Sequence, residues 1–205
     1  MTDPQPNPER SRIVVEEPGD VWFFAYGSLM WDPGFAPVEM RPALLYGWHR
    51  AFCVRSVRYR GTPAAPGLVL GLDRGGSCRG RALRVAGADR ERVFGYLEER
   101  EMPEEIYSCR RMTMATPQGL IEGYGLVVNR DNALYDGALA PLDMARRIAV
   151  CAGERGPNRD YLAHTVRHLD ELGIGDGPMH ELLAMVERLA AEDEKGGRGK
   201  VGAPG

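Results

Sequence analysis

Apolar and β-branched residues concentrate in short runs through the first two thirds of the chain, a pattern typical of buried strands. The first run, VWFFAY, is rich in aromatic and β-branched side chains, and the long second run contains a glycine break at Gly47. The last two runs are joined by Pro-Gln-Gly at residues 117–119, which favours a hairpin turn. The predicted strands lie at residues 21–26, 43–61, 67–73, 78–86, 109–116 and 120–129.

Helical periodicity is found mainly after the predicted strands. One helix is predicted between strands, at residues 88–100, and three more are predicted after the last strand, at residues 141–153, 159–173 and 178–192. Pro141 suits a first helical position, while Asn158 precedes the next predicted helix and Gly173 ends it. Strands grouped before helices indicate an α+β fold and not a βαβ alternation.

The two ends of the chain lack such patterns. Residues 1–19 contain four prolines and many charges, and residues 193–205 are charged and glycine-rich, so both are predicted to be flexible. The region between them, residues 20–192, is predicted to be a single domain.

Composition narrows the class of protein. The chain has 205 residues with 43% hydrophobic content and a net charge of −3, which gives no attraction to nucleic acid. No apolar run reaches the roughly 20 residues that a membrane span requires. The polar N-terminus resembles neither a signal peptide nor an anchor, so a cytoplasmic location is predicted. Four widely spaced cysteines without a CxxC pair are predicted to be free thiols.

The end of the first predicted helix carries three glutamates, Glu98, Glu99 and Glu101. At about 100° per residue the first two fall outside the apolar stripe, whereas Glu101 falls inside it. A carboxylate directed at a core is costly unless it is paired or its pKa rises, and a raised pKa suits a general acid or base. An ion pair with Arg100, or a frayed last turn, explains the same pattern structurally.

The first strand ends in Tyr26-Gly27-Ser28-Leu29. A Gly-Ser turn offers backbone N–H groups and a hydroxyl, which together can hold a carboxylate or phosphate. A simple connecting turn is the alternative. The chain has no GxSxG elbow and no glycine-rich nucleotide loop, so neither chemistry is predicted.

His164 and His168 are spaced i, i+4, as metal ligands on a helix can be. Thr165 stands where HExxH has its glutamate, and only His180 offers a third ligand. A solvated or capping role is favoured for these histidines, and no metal is predicted.

Four segments of the chain resemble, in order, the motifs of the ChaC-type gamma-glutamylcyclotransferase family. FAYGSLMWDPGF is similar to its opening signature, and HRAFCVRSVRYRGTPAAPGLVLGLDRGGSCRGRALRV to its second block. YLEERE resembles the catalytic-helix motif YLxxRE, and GPNRDYL a late GxNxxYL motif. The likeness spans about residues 20 to 190.

The resemblance implies a small mixed β-barrel with packed helices, including C-terminal helices. It also implies a reaction that releases 5-oxoproline from a gamma-glutamyl compound, which for ChaC-type members is glutathione, with cysteinylglycine as the other product. Glu101 then takes the catalytic role, Tyr26, Gly27, Ser28 and Leu29 cradle the substrate, and Tyr161 is a pocket tyrosine. No metal, nucleotide or other cofactor is implied.

Two alternatives stay open at this level. One is a non-catalytic domain that binds a small gamma-glutamyl ligand, which would have no need of a carboxylate at position 101. The other is a cyclotransferase for other gamma-glutamyl amines or peptides. Residues 102–107 and 53–55 depart from the usual family pattern, so the acceptor preference is left undetermined.

Overall fold

The computed structural model describes residue 13 and residues 18–101 and 105–198. The chain groups into two compact units, the first formed by Met1–Ala51 with Gly71–Tyr135 and the second by Phe52–Leu70 with Asp136–Gly205. Most of the predicted N-terminal arm, residues 1–12 and 14–17, lies outside the described residues, as do residues 199–205 of the predicted tail. The flexible ends and the single domain of residues 20–192 stay predictions.

Strands precede most helices, as the sequence predicts, and the α+β class is confirmed. The strands are β1 Val21–Ala25, β2 Glu39–Ser56, β3 Gly67–Val85, β4 Tyr107–Thr116, β5 Gly119–Val128, and the short β6 Ala152–Gly153 and β7 Gly156–Pro157. The helices are α1 Arg90–Glu101, α2 Pro141–Val150, α3 Asn158–Glu171 and α4 Gly177–Arg198, with 3-10 turns at Ser28–Met30 and Gly87–Asp89. Helix α4 therefore continues six residues beyond the predicted boundary at residue 192.

Two of the predicted strands are one. Residues 67–73 and 78–86 belong to the single strand β3, because Gly75 and Gly76 adopt positive φ of 103° and 66° and continue the strand across the gap between the two predicted strands. Gly47 likewise has a φ of 80° inside β2 without ending it. Glycine reaches this region without the steric cost that a side chain brings, as in β-bulges.

The first unit contains the pairings that close a five-stranded barrel in the order β1-β3-β2-β4-β5. Strand β1 pairs antiparallel with β3, where Phe23 faces Leu83, and parallel with β5, where Phe23 faces Tyr124. Strands β4 and β5 form a hairpin. The β1–β5 pair makes the barrel mixed, in agreement with the predicted fold.

Apolar side chains from all five strands fill the barrel, among them Phe24, Leu45, Leu72, Ala82, Met114 and Val127. Full burial of one such large side chain contributes about 1.5–3 kcal/mol. Helix α1 packs against the same unit through Phe94, whose ring lies 6.3 Å from that of Phe23, and through the buried Val93 and Leu97. This packing fixes the direction in which the last turn of α1 projects.

The second unit contains α2, α3 and α4, which pack on one another. Asn158 is the first residue of α3 and not the residue before it, and its side chain caps no helical N–H. Its amide instead accepts a hydrogen bond from Leu68 N at 2.6 Å and donates one to Leu68 O at 2.7 Å. The long-range partner therefore overrides the local capping preference of asparagine.

Asp73 is a buried carboxylate on β3 in the first unit. It accepts hydrogen bonds from Arg130 Nε at 2.7 Å, Tyr135 Oη at 2.9 Å and Arg74 N at 2.8 Å. Burial alone would raise the pKa of Asp73, but the hydrogen bonds from Arg130 and Tyr135 outweigh it and lower the pKa below its ordinary value of 3.8. The carboxylate ties the segment after β5 to the barrel.

We expect the Asp73→Asn variant to lose about 2 kcal/mol of unfolding free energy at pH 7, the range for hydrogen bonds to a charged group. Because the pKa of Asp73 is lowered on folding, its contribution is complete above about pH 4 and is lost as the pH falls through the lower folded pKa. Urea unfolding at pH 7 and at pH 3 measures this difference. A gap between wild type and variant that does not narrow at pH 3 would contradict the assignment.

Candidate active site

The backbone of the turn that follows β1 is held by hydrogen bonds within the turn. The carbonyl of Gly27 accepts from Met30 N at 2.9 Å, and that of Ser28 accepts from Trp31 N at 3.1 Å and Asp32 N at 2.8 Å. The N–H groups of Ser28 and Leu29 open this 3-10 turn and so have no partner within it. The turn can therefore present backbone donors to an anion.

Arg50 fixes the point at which this turn begins. It is a buried cation on β2, and its Nε donates to the carbonyl of Tyr26 at 2.5 Å. Its Nη2 donates to the carbonyl of Arg79 on β3 at 2.8 Å. These bonds hold the Tyr26 peptide against the barrel strands.

The last turn of α1 reaches the same turn through Arg100. Its Nη2 donates to Ser28 Oγ at 2.9 Å, and its Nη1 donates to the carbonyl of Asp32 at 2.9 Å and to Tyr96 Oη at 2.8 Å. Its Nε lies 2.9 Å from Glu101 Oε1. Burial alone would lower the pKa of Arg100, but the Tyr96 hydrogen bond and the Glu101 charge raise it, so the guanidinium stays charged.

The position of the Tyr96 side chain depends on the absence of a side chain at Gly34. A Cβ atom on Gly34 would stand 2.0 Å from Tyr96 Oη, and Gly34 also has a positive φ of 75°. Only a residue without a side chain leaves room for the Tyr96 hydroxyl here. Gly34 therefore has a role in building the site.

Glu101 is half-buried, with 26% of its side chain exposed. The structure places its carboxylate in an ion pair with Arg100, which is the structural alternative that the sequence left open. The pair also connects Glu101, through one guanidinium, to the hydroxyl of Ser28. An ion pair and a catalytic role are therefore compatible at this position.

The predicted site residues divide between the units. The first unit holds Glu101 and the whole predicted turn, in which Leu29 is buried and the other members are half-buried. The second unit holds Tyr161, whose ring lies 5.6 Å from that of Phe52 and 5.1 Å from the guanidinium carbon of Arg60. A shared pocket for Ser28 and Tyr161 stays a prediction.

The surroundings of the three histidines considered as metal ligands do not suit a metal site. His164 is exposed, and His168 Nδ1 lies 2.9 Å from Glu171. His180 contacts the carbonyl of Asp176 at 2.7 Å and the carboxylate of Asp170 at 2.9 Å. These two hydrogen bonds raise the pKa of His180, which favours the charged form that cannot ligate a metal. Over the described ranges, no three His, Cys, Asp or Glu side chains are grouped to hold one.

We expect the activity to be independent of metal. Dialysis against EDTA should leave 5-oxoproline formation unchanged, because the acid or base role expected of Glu101 needs only a carboxylate. The measurement is the initial rate before and after dialysis. A loss that added zinc restores would contradict this expectation and revive the histidine site.

The four cysteines are free thiols, as predicted. Burial, with the nearby charge of Glu98, raises the pKa of Cys109 to about 12. A thiol with so high a pKa is a poor nucleophile at neutral pH.

Sequence reasoning named Arg100 only as an ion-pair partner of Glu101, and it missed both the bond from Arg100 to Ser28 and the contribution of Tyr96. The i, i+4 spacing of Tyr96 and Arg100 on α1 was a usable signal, because such side chains are neighbours on a helix. Arg50 gave no comparable signal, since its partners, Tyr26 and Arg79, are distant in sequence.

Comparison with known proteins agrees with this fold. A sequence model of the family described as ChaC-like protein matches residues 21–189. The chain therefore belongs to the ChaC-like family, and the resemblance seen in its motifs is confirmed.

Relatives of known activity cover most of the chain. A glutathione-specific gamma-glutamylcyclotransferase of Escherichia coli K12 is 34% identical over 176 residues, which is 85% of this chain and 76% of that protein. Gamma-glutamylcyclotransferase 2-3 of Arabidopsis thaliana is 29% identical over 85% of this chain and 92% of its own length.

A solved structure shares the fold. The crystal structure of a yeast gamma-glutamyl cyclotransferase specific to glutathione matches with a TM-score of 0.76 at 22% identity, over 83% of this chain and 96% of the other.

Among the described helices, none has both the length and the apolar character to span a membrane.

Proposed function

We propose that this protein cleaves glutathione to 5-oxoproline and cysteinylglycine, with Glu101 as general acid and base. The observation that carries the proposal is the junction of Glu101, Arg100 and Ser28 in the first unit. Membership of the ChaC-like family and the activity of the Escherichia coli relative support it. A cytoplasmic location suits this small soluble substrate.

The turn after β1 is proposed to bind the α-carboxylate of the gamma-glutamyl group. The Ser28 and Leu29 N–H groups open the turn and suit an anion. The Ser28 hydroxyl accepts its hydrogen bond from Arg100, so its own hydrogen is available to donate to a carboxylate oxygen. The cation of Arg100 adds a favourable charge beside the same position.

The reaction then needs one proton to move between two nitrogens. Glu101 takes a proton from the α-amine, whose nitrogen attacks the γ-carbonyl carbon and forms the C–N bond of a five-membered lactam. The bond from that carbon to the cysteine nitrogen breaks, and Glu101 returns the proton to the departing nitrogen. The atoms balance without water, metal or covalent enzyme intermediate.

Positioning supplies a large part of the proposed acceleration. The glutamyl chain is flexible, and its amine and γ-carbonyl must meet to form the ring. Well-oriented intramolecular reactions gain about 7–11 kcal/mol from such positioning. Holding the α-carboxylate on a turn that is fixed at Tyr26 by Arg50 keeps one end of the substrate still.

The test is incubation with glutathione, gamma-glutamyl-alanine and gamma-glutamyl-lysine, with detection of 5-oxoproline. We expect glutathione to be preferred, and N-acetyl-glutathione, whose amine is blocked, to be inert. Preference for either other substrate would indicate a cyclotransferase for different gamma-glutamyl compounds. Binding of glutathione without product would indicate a non-catalytic domain, and it would overturn the proposal.

Tyr161 is proposed to line the substrate pocket, at the first turn of α3. We expect Tyr161→Phe to weaken glutathione turnover by a few-fold, about the net value of one hydrogen bond, with little change in melting temperature. Steady-state kinetics together with thermal unfolding measure both effects. A large loss of stability with normal turnover would show instead that the Tyr161 hydroxyl has a structural role in anchoring α3.

A further inference from the structure

Arg100 joins the two parts of the candidate site in the first unit, and the proposed proton transfers do not use it. Its guanidinium contacts Glu101 on one side and Ser28 on the other, each at 2.9 Å. A guanidinium is planar and presents five N–H donors in a fixed fork. The position of the Glu101 carboxylate is therefore coupled to that of the Ser28 hydroxyl through a rigid group.

The turn is held by Arg100 at both of its ends. Besides the bond to Ser28 Oγ, Nη1 of Arg100 donates to the carbonyl of Asp32 at 2.9 Å. The Asp32 N–H in turn donates to the carbonyl of Ser28 at 2.8 Å, so the segment is a closed loop. Displacing the guanidinium would loosen the loop and the carboxylate together.

A surface ion pair is the simpler interpretation of the Arg100–Glu101 contact, and such pairs contribute little to stability. The geometry argues against it, since only 23% of the Arg100 side chain is exposed and the same group has further partners in Tyr96 and Ser28. An ordinary surface pair between α1 and the 3-10 turn before it is available for comparison. Arg92 and Asp89 form it at 2.9 Å with side chains 65% and 50% exposed.

We propose that Arg100 is a positioning residue that fixes the Glu101 carboxylate relative to the substrate-binding turn, a role that rests on the proposed cyclotransferase function. Arg100 acts through Glu101 and Ser28. Its loss therefore affects kcat, because the acid-base group is misplaced, and KM, because the turn is loosened. A purely structural role would lower the melting temperature and leave both constants of the folded enzyme unchanged.

The test compares Arg100→Gln, Arg100→Lys and Tyr96→Phe with the control Arg92→Gln in glutathione turnover and thermal unfolding. We expect Arg100→Gln to lose about 10²-fold in kcat/KM, the cost of a misplacement near 1 Å. Arg100→Lys keeps the charge but lacks the fork, so its loss should be smaller but clear. Tyr96→Phe removes one partner of Nη1 and should lose a few-fold in kcat, whereas Arg92→Gln should match wild type.

The inference is overturned if Arg100→Gln keeps wild-type kcat and KM per folded molecule. If that variant does not fold, unaltered constants in both Arg100→Lys and Tyr96→Phe overturn it in the same way. Failure of the proposed function is distinguishable, because wild type itself would then release no 5-oxoproline from any of the three gamma-glutamyl substrates.

Discussion

Replacing Glu101 with glutamine is expected to lower kcat for glutathione by about 10³–10⁴-fold. General acid or base catalysis contributes about 10²–10⁴-fold, and the upper part of that range applies because one group serves in both proton transfers. At about 1.36 kcal/mol per tenfold, this corresponds to roughly 4–5 kcal/mol of barrier. Glutamine keeps the size of the side chain and can still accept a hydrogen bond from Arg100, but it cannot take a proton from an amine.

Substrate binding and folding should survive this change, because the α-carboxylate is proposed to be held by the turn and not by Glu101. The matched control is Glu99→Gln, since Glu99 is an exposed side chain on the same helix. Glu98 is a poorer control because its carboxylate accepts the backbone N–H of Ile13. A folded Glu101→Gln enzyme that turns over glutathione at near the wild-type rate would refute both the role and the mechanism.

Replacing Asn158 with alanine is expected to lower the unfolding free energy by about 3–5 kcal/mol. The side chain is fully buried, and both of its hydrogen bonds go to the backbone of Leu68. Its loss leaves a buried N–H and a buried C=O without partners, at about 1–3 kcal/mol each. For a chain of this size the melting temperature should fall by about 6–20 °C.

Two further variants test this explanation of Asn158 by thermal unfolding. Asn158→Asp keeps an acceptor for Leu68 N but loses the donor to Leu68 O, so it should be destabilised and should partly recover at acidic pH, where the carboxyl is protonated. Asn129→Ala removes a half-exposed asparagine whose side chain accepts from Asp131 N at 3.1 Å, and it should cost less than about 1 kcal/mol. Equal effects of the two alanine substitutions would show that the Leu68 contact is unimportant.

The sequence predicted the strands and helices of the barrel fold well, because buried strands and amphipathic helices impose patterns on neighbouring residues. The sequence-based prediction divided β3 into two strands because Gly75-Gly76 is a typical turn signal. In the structure both glycines have positive φ, and the strand continues through them. The prediction placed Asn158 before α3 because the local rule favours a cap, and a partner 90 residues away prevailed.

Part of the candidate site was predictable because it too depends on patterns among neighbouring residues. The helical periodicity of α1 and the YLEERE motif both identified Glu101 as a candidate, and the sequence that follows β1 contains the Gly-Ser pair of the turn. The bond from Arg100 to Ser28 joins residues 72 positions apart, so no local pattern contains it. The conformations of Tyr96 and Gly34 depend on a similar long-range contact.

The most direct test of the central claim is turnover of glutathione in water enriched in ¹⁸O, with both products analysed by mass spectrometry. Attack by the substrate's own amine adds no oxygen, so we predict unlabelled 5-oxoproline and an equal amount of cysteinylglycine. Release of ¹⁸O-labelled glutamate would show that water is the nucleophile. That result, or the absence of any product from the folded protein, would contradict the proposed cyclotransferase.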